Sequence, residues 1–140
     1  MSRILSIDYG RKRTGIAVSD NLQMIAGGLA TIETHELLPF LKNYLEKEKV
    51  EKIVIGYPKT LNNLPAEIIP EIENFTKTVK KEFPSIEIDF FDERFTSKMA
   101  FQTMIESGIN KEKRKNKALI DKISATIILQ DYLEKMSFPH

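Results

Sequence analysis

The stretch Ile4-Leu5-Ser6-Ile7-Asp8-Tyr9-Gly10 decides the architecture. It is a short apolar run with β-branched residues, closed by glycine, and it predicts a strand over Arg3 to Tyr9. Asp8 stands where the apolar run should simply continue. The same interruption recurs at Glu93, which closes the run Ile86 to Phe91, and at Asp121, inside a strongly apolar helix. Burying an isolated charge is unfavourable by many kcal/mol unless it is paired or binds a metal. Three such charges on elements that share one core point to a metal-binding carboxylate site.

Outward from the first strand, Gly10-Arg11-Lys12 turns the chain into a second strand, Thr14 to Ser19. Asp20-Asn21 turns it again into a third, Met24 to Ile32, loosened by Gly27-Gly28. The short connections make these three an antiparallel meander. Leu37, Leu38, Leu41, Tyr44 and Leu45 then recur at helical spacing within His35 to Lys49, with Thr34 as the expected N-cap. Ile53-Val54-Ile55-Gly56 reads as a buried strand ended by Pro58, and the polar loop Lys59 to Pro65 follows. A helix is predicted over Ala66 to Phe83 with Pro70 near its start, then the strand Ile86 to Phe91. A further helix runs from Thr96 to Gly108, and the basic loop Asn110 to Asn116 introduces a last helix, Lys117 to Lys135.

A meander followed by alternating helix and strand predicts an α/β fold, a five-stranded mixed sheet with helices on both faces. Right-handed crossovers carry the fourth and fifth strands to the free side of the first, which becomes central. With 140 residues the expectation is one domain spanning 1–140. The absence of cysteine excludes disulfide scaffolds, thiolate zinc sites and cysteine nucleophiles. No signal segment precedes the first strand and no apolar run reaches bilayer length, so the expected location is cytoplasmic. A net charge of +1 provides no global attraction for polyanions, so nucleic-acid binding would rest on local patches.

Asp8 is expected at the carboxyl end of the central strand, where open α/β sheets place their ligands, with Glu93 at the end of the fifth strand on the same side. Asp121 shares its helix stripe with Ala125, Ile128 and Tyr132, so it is expected to face the sheet. A helix N-terminus would also favour its negative charge. Oxygen-only ligands favour Mg²⁺ or Mn²⁺, and two such ions can activate a water and stabilise the leaving oxygen of a phosphodiester. The two histidines, His35 and His140, give no sign of an imidazole base.

Two basic stretches flank this acidic centre. Arg11, Lys12 and Arg13 form the turn after Asp8, and Lys111, Lys113, Arg114, Lys115 and Lys117 crowd the loop before Asp121. Both are candidates for phosphate contacts. Arg94 could pair with Glu93, neutralise a phosphate or face solvent; Asp92 alternates against Glu93 and is expected to point elsewhere. Ser124 and Gln130 are expected to make internal hydrogen bonds.

Several of these segments resemble one known family. Ile7-Asp8-Tyr9-Gly10 with Arg13-Thr14-Gly15-Ile16-Ala17-Val18-Ser19-Asp20 is similar to the opening signature of the YqgF/RuvX family, ribonuclease-H-like proteins related to Holliday junction resolvases. Ile55-Gly56-Tyr57-Pro58, Asp92 to Ser97 with Ala100, and Asp121 through Ser124-Ala125 to Leu129-Gln130 match in order over nearly the whole chain. The resemblance implies a ribonuclease-H-like fold and a hydrolase trimming the 5′ end of precursor 16S ribosomal RNA. It also implies that Asp8, Glu93 and Asp121 form the metal-binding triad. The chain departs from the family at Lys59 to Leu64, Lys-Thr-Leu-Asn-Asn-Leu, where a Leu-Asn-Met-Asp-Gly-like loop is usual; this leaves substrate contacts there open.

Alternatives remain at this point. A DNA junction resolvase would use the same centre, and would need two sites on one junction. A non-catalytic nucleic-acid-binding factor in transcription or ribosome assembly would bind without metal. An actin-like ATPase would need two such lobes, and this chain supplies one. Expected partners are precursor ribosomal RNA or branched DNA, and the ribosomal particle, with the chain a monomer or weak dimer.

Overall fold

A computed structural model describes residues 2–57, 68–92 and 117–137, with the backbone alone described at Tyr57, Asp92, 117–121 and 136–137. Five strands, β1 Arg3–Asp8, β2 Arg13–Ser19, β3 Ala26–Glu33, β4 Val50–Tyr57 and β5 Glu87–Asp92, form one sheet of order β3-β2-β1-β4-β5. β1 pairs antiparallel with β2, and β2 with β3; β1 pairs parallel with β4, and β4 with β5. The strand order and directions are those expected from the meander and the crossovers. Three helices are described, α1 Leu37–Lys47, α2 Ile68–Glu82 and α3 Lys117–Ser137.

β1 is central and its two faces feed two cores. Leu5 and Ile7 pack with Ile53 and Ile55 of β4, Leu37 and Leu41 of α1, and Ile72, Phe75 and Val79 of α2. Ile4 faces the other way, with Ala17, Val54, and Ala125, Ile128, Leu129, Tyr132 and Leu133 of α3. Burial on both faces explains why β1 and β4 read as continuous apolar runs rather than alternating ones. The spacing of Ile68, Ile72, Phe75 and Val79 keeps one stripe of α2 on the sheet, and all four are buried.

The structure departs from expectation at several boundaries. Thr34 is not a helix N-cap: it begins a short 3₁₀ turn, Thr34–Glu36, and α1 starts at Leu37 with no side-chain cap. The reason is register. Glu33 pairs with Arg13, which brings Thr34 beside the β1–β2 turn. There its Oγ1 donates to the Gly10 carbonyl at 2.6 Å and its N–H donates to the Lys12 carbonyl at 2.9 Å. β3 starts at Ala26, two residues late, because Asp20 Oδ1 accepts from the N–H groups of Met24 and Ile25 and lengthens the turn. α1 ends at Lys47 because Lys49, just before β4, is already tied to β1, its carbonyl accepting from Arg3 N–H at 2.8 Å. The helix expected over Thr96 to Gly108, the loop Lys59 to Pro65 and the loop Asn110 to Asn116 lie outside the described residues.

Gly28 has a specific task. β3 carries one extra residue, Leu29, between the partners of Ile16 and Ala17. A Cβ at Gly28 would sit 2.8 Å from Lys122 Cγ and 3.2 Å from Thr126 Oγ1. The missing side chain is what lets α3 lie against this strand.

Candidate active site

Asp8 is the last residue of β1, half-buried, opposite Gly15 of β2. Strand alternation puts it on the face of Ile4 and Ser6, beneath α3. The parallel partners β4 and β5 end at the same edge, where Tyr57 pairs with Asp92. Glu93 is the next residue in the chain and lies outside the described residues.

The course of α3 follows from its fastenings to the sheet. Its Gln130 Oε1 accepts from Ala26 N–H at 3.0 Å, at the start of β3, as the internal role expected for this side chain. Tyr132 Oη accepts from Lys52 Nζ at 2.7 Å, near the start of β4. Toward the helix N-terminus, Ala125 O accepts from Ser6 Oγ at 2.7 Å, and Lys122 and Thr126 lie against Gly28. α3 therefore runs antiparallel to β1, with its N-terminal turns toward the carboxyl end of that strand. One helical turn back from Ala125 is Asp121, about 6 Å along the axis. Two residues on from Ser6 is Asp8, about 6.7 Å along the strand. The backbones of Asp8 and Asp121 thus stand at one end of one sheet face, although 113 positions separate them by residue number.

The basic turn after Asp8 divides its duties. Arg11 lies on the α2 side, its Nε 3.6 Å from Glu71 Oε1, with the arginine more than half and the glutamate partly exposed. Arg13 opens β2 opposite Glu33. Lys12 contributes its carbonyl to Thr34. Together the three line an open groove of about 500 Å³ with Glu33 and His35. Lys117 is the first residue of α3; Arg94, Lys111, Lys113, Arg114 and Lys115 lie outside the described residues.

Three features escaped the sequence. Glu33, His35 and Glu36 form an exposed group at the same edge, His35 Nε2 standing 3.4 Å from Glu33 Oε2, close enough to share a cation. A polar network clamps the far end of α3. Tyr132 Oη donates to Asp89 Oδ2 at 2.8 Å, and Lys52 Nζ, besides its bond to Tyr132, lies 3.4 Å from Glu87 Oε2. Burial and the hydrogen bond to Asp89 hold the Tyr132 hydroxyl above its ordinary pKa, against the opposing pull of Lys52. Burial pulls Lys52 down, but Tyr132 and Glu87 outweigh it and the net shift is upward. The third is Ser6, a fully buried hydroxyl that lies within an apolar run and spends its proton on α3. None of these contacts is local in sequence, apart from the neighbours of His35.

Known proteins bear on this geometry. A family model described as "RuvX: Holliday junction resolvase" matches residues 2–135. The chain belongs to the RuvX family. Among its relatives, a protein of Bacteroides thetaiotaomicron is 59% identical over 138 residues, covering 99% of this chain and 100% of the relative. One from Flavobacterium johnsoniae is 58% identical over 138 residues, again 99% and 100%. Both carry the name "Putative pre-16S rRNA nuclease". Among solved structures, T. thermophilus RuvC in complex with a Holliday junction substrate aligns with a TM-score of 0.61 at 15% identity, covering 98% of this chain and 96% of that one. Fowlpox virus resolvase, in complex with its junction DNA, aligns at 0.59 and 14% identity, covering 96% and 98%. This RuvX-family chain therefore has the ribonuclease-H-like fold of those resolvases. No helix among its described residues is long and apolar enough to cross a membrane.

Proposed function

We propose that this RuvX-family chain is a Mg²⁺- or Mn²⁺-dependent nuclease that trims the 5′ end of precursor 16S ribosomal RNA. The observation that carries this is the convergence of Asp8, closing the central strand, with the backbone of Asp121 on the helix laid over the same face. Glu93 follows directly on β5, whose described end lies at the same edge. The donors are all carboxylate oxygens, which fit a hard divalent cation and no thiophilic one. Asp8, Glu93 and Asp121 would hold two ions. When bound, such ions lower the pKa of a water and neutralise charge on the attacked phosphate.

The rest belongs to the protein's own groups. Asp8 contributes its carboxylate from a strand end fixed on both sides, by Gly15 of β2 and by β4. Arg11, Lys12 and Arg13 follow within the same turn and neutralise backbone phosphates, as do Arg94, Lys111, Lys113, Arg114, Lys115 and Lys117. Arg11 exchanges Glu71 for a phosphate at little expense, because their pairing is solvent-exposed. The ribosomal particle in the cytoplasm is the setting in which such a substrate is presented.

A second reading, cleavage of a four-way DNA junction, is favoured by the family's description and by the fold shared with two junction-bound resolvases. The names of relatives at 59% and 58% identity weigh toward RNA. One assay separates them: wild type and Asp8→Asn, each with precursor ribosomal RNA and with a synthetic junction, with and without Mn²⁺. We expect Mn²⁺-dependent RNA cleavage by the wild type and at least a hundredfold loss in Asp8→Asn, the order seen when a group acting on the transition state is removed. Undiminished cleavage by a folded Asp8→Asn removes Asp8 from the chemistry. Cleavage of the junction alone transfers the activity to DNA.

A further inference from the structure

One row of the sheet crosses directly beneath α3 behind the acidic residues. Ser6 of β1 pairs with Ala17 of β2, and Ala17 pairs with Gly28 of β3. Side chains shrink along this row from serine to alanine to glycine, which makes a trough across three strands. α3 lies in it. Ala125 is fully buried against the Ser6 end, and Lys122 and Thr126 reach within 2.8 and 3.2 Å of where a Gly28 Cβ would be. At the deep end, a Cβ on Gly28 would press on the Lys122 and Thr126 side chains, and the lysine stem would have to give way.

The trough sets how closely α3 approaches the sheet but would still let the helix slide along it. Ser6 removes that freedom. Its Oγ is fully buried and donates to the Ala125 carbonyl at 2.7 Å. That carbonyl sits mid-helix, where it also receives the N–H four residues on; its second lone pair accepts the serine. A slide of one residue in either direction would break the contact and strand a buried hydroxyl, which is unfavourable. Ser6 is two residues from Asp8 on the same strand face, and Ala125 is four residues from Asp121 on the same helix stripe.

We infer that Ser6, seated in the Ser6–Ala17–Gly28 trough, is a positioning residue that sets the separation of Asp8 from the backbone of Asp121. This rests on the proposed metal site. A metal site is sensitive to such support, since groups that orient its ligands commonly govern affinity by tenfold or more. Ser6 touches no substrate, so its contribution appears in metal affinity rather than in a chemical step of its own.

The test is Mn²⁺ binding by isothermal titration calorimetry to the whole chain, with urea unfolding of each variant measured alongside. Ser6→Ala keeps the trough and loses the bond; its Mn²⁺ Kd is expected to rise about fivefold, the order set by one hydrogen bond. Gly28→Ala keeps the bond and crowds Lys122, the neighbour of Asp121 on α3, and is expected to weaken Mn²⁺ as well. Tyr132→Phe serves as control, because it loosens the far end of α3 with a comparable loss of stability and is expected to leave the Kd within twofold. A Ser6→Ala Kd equal to the wild type's, or an equal rise in Tyr132→Phe, overturns the positioning role. Wild-type binding no tighter than that of Asp8→Asn instead overturns the metal site itself, and this inference falls with it.

Discussion

Replacing Gly10 with alanine probes whether the turn behind Asp8 is as tightly built as it looks. A Cβ at Gly10 would lie 2.3 Å from the Arg13 carbonyl oxygen and 3.5 Å from its carbon. The obstruction is backbone, so no rotamer change relieves it; the turn itself must open. Its freedom to do so is limited, because the Gly10 carbonyl is held by Thr34 Oγ1 at 2.6 Å and the Lys12 carbonyl by Thr34 N–H. Overpacking of this severity destabilises by about 1–3 kcal/mol, and loss of the Thr34 bond adds about 1 kcal/mol if the turn moves away. A total near 3 kcal/mol corresponds to a urea midpoint lower by about 1.5 M at a slope of about 2 kcal/mol/M. Gly27→Ala provides the internal comparison. The nearest atom to a Cβ there is the Val18 carbonyl oxygen at 3.9 Å, an ordinary contact. That variant is expected to match the wild type or gain up to about 1 kcal/mol through a stiffer unfolded chain. Urea melts of the three proteins, followed by far-ultraviolet circular dichroism, decide the matter. A Gly10→Ala midpoint within about 0.3 M of the wild type would refute the steric argument, since that spans only some 0.6 kcal/mol at such a slope.

Two further outcomes follow from charges described above. The Asp20 carboxyl is held below its ordinary pKa by N–H groups of Ile25 and Met24, so its contribution to stability is complete above the unfolded-state value and is lost as pH falls through the lower folded one. Asp20→Asn keeps an acceptor without the titration, and its unfolding free energy should fall less steeply than the wild type's below about pH 4; parallel acid limbs would contradict this. Arg11→Ala should change stability by less than about 0.5 kcal/mol, because its pairing with Glu71 is exposed. The same variant should weaken RNA binding regardless of sequence and lower the salt slope by about one in filter-binding titrations; an unchanged slope would take Arg11 off the phosphates.

How much of this was legible in the sequence depended on the range of the contacts involved. The meander could be read because its turns are short and local, and the placement of β4 and β5 because crossover handedness leaves one choice. Asp8 and Asp121 stood out as charges inside apolar runs, and the stripe of Ala125, Ile128 and Tyr132 is the one that meets the sheet, while the Asp121 side chain on that stripe lies outside what the structure describes. Thr34 was misjudged because two structures competed for one hydroxyl. A threonine before a leucine-rich helix suits an N-cap, but the register of β2 with β3 delivers it to Gly10 instead. Ser6, Ala17 and Gly28 are unremarkable singly. Their meaning appears only when strand register sets them side by side, and register between distant segments is not written in local spacing. The Lys52–Tyr132–Asp89 network is hidden for the same reason, its members coming from β4, α3 and β5.

The bond from Ser6 to Ala125 joins positions 119 apart in the chain, and this has a consequence during synthesis. Until α3 has left the ribosome, the β1 face bearing Ile4, Ser6 and Asp8 has no cover, and its apolar residues remain available to any other greasy surface nearby. Closing so long a loop comes late in folding. A nascent RuvX-family chain of this design would therefore carry that face open past the very ribosome that makes it, until the last described helix swings home.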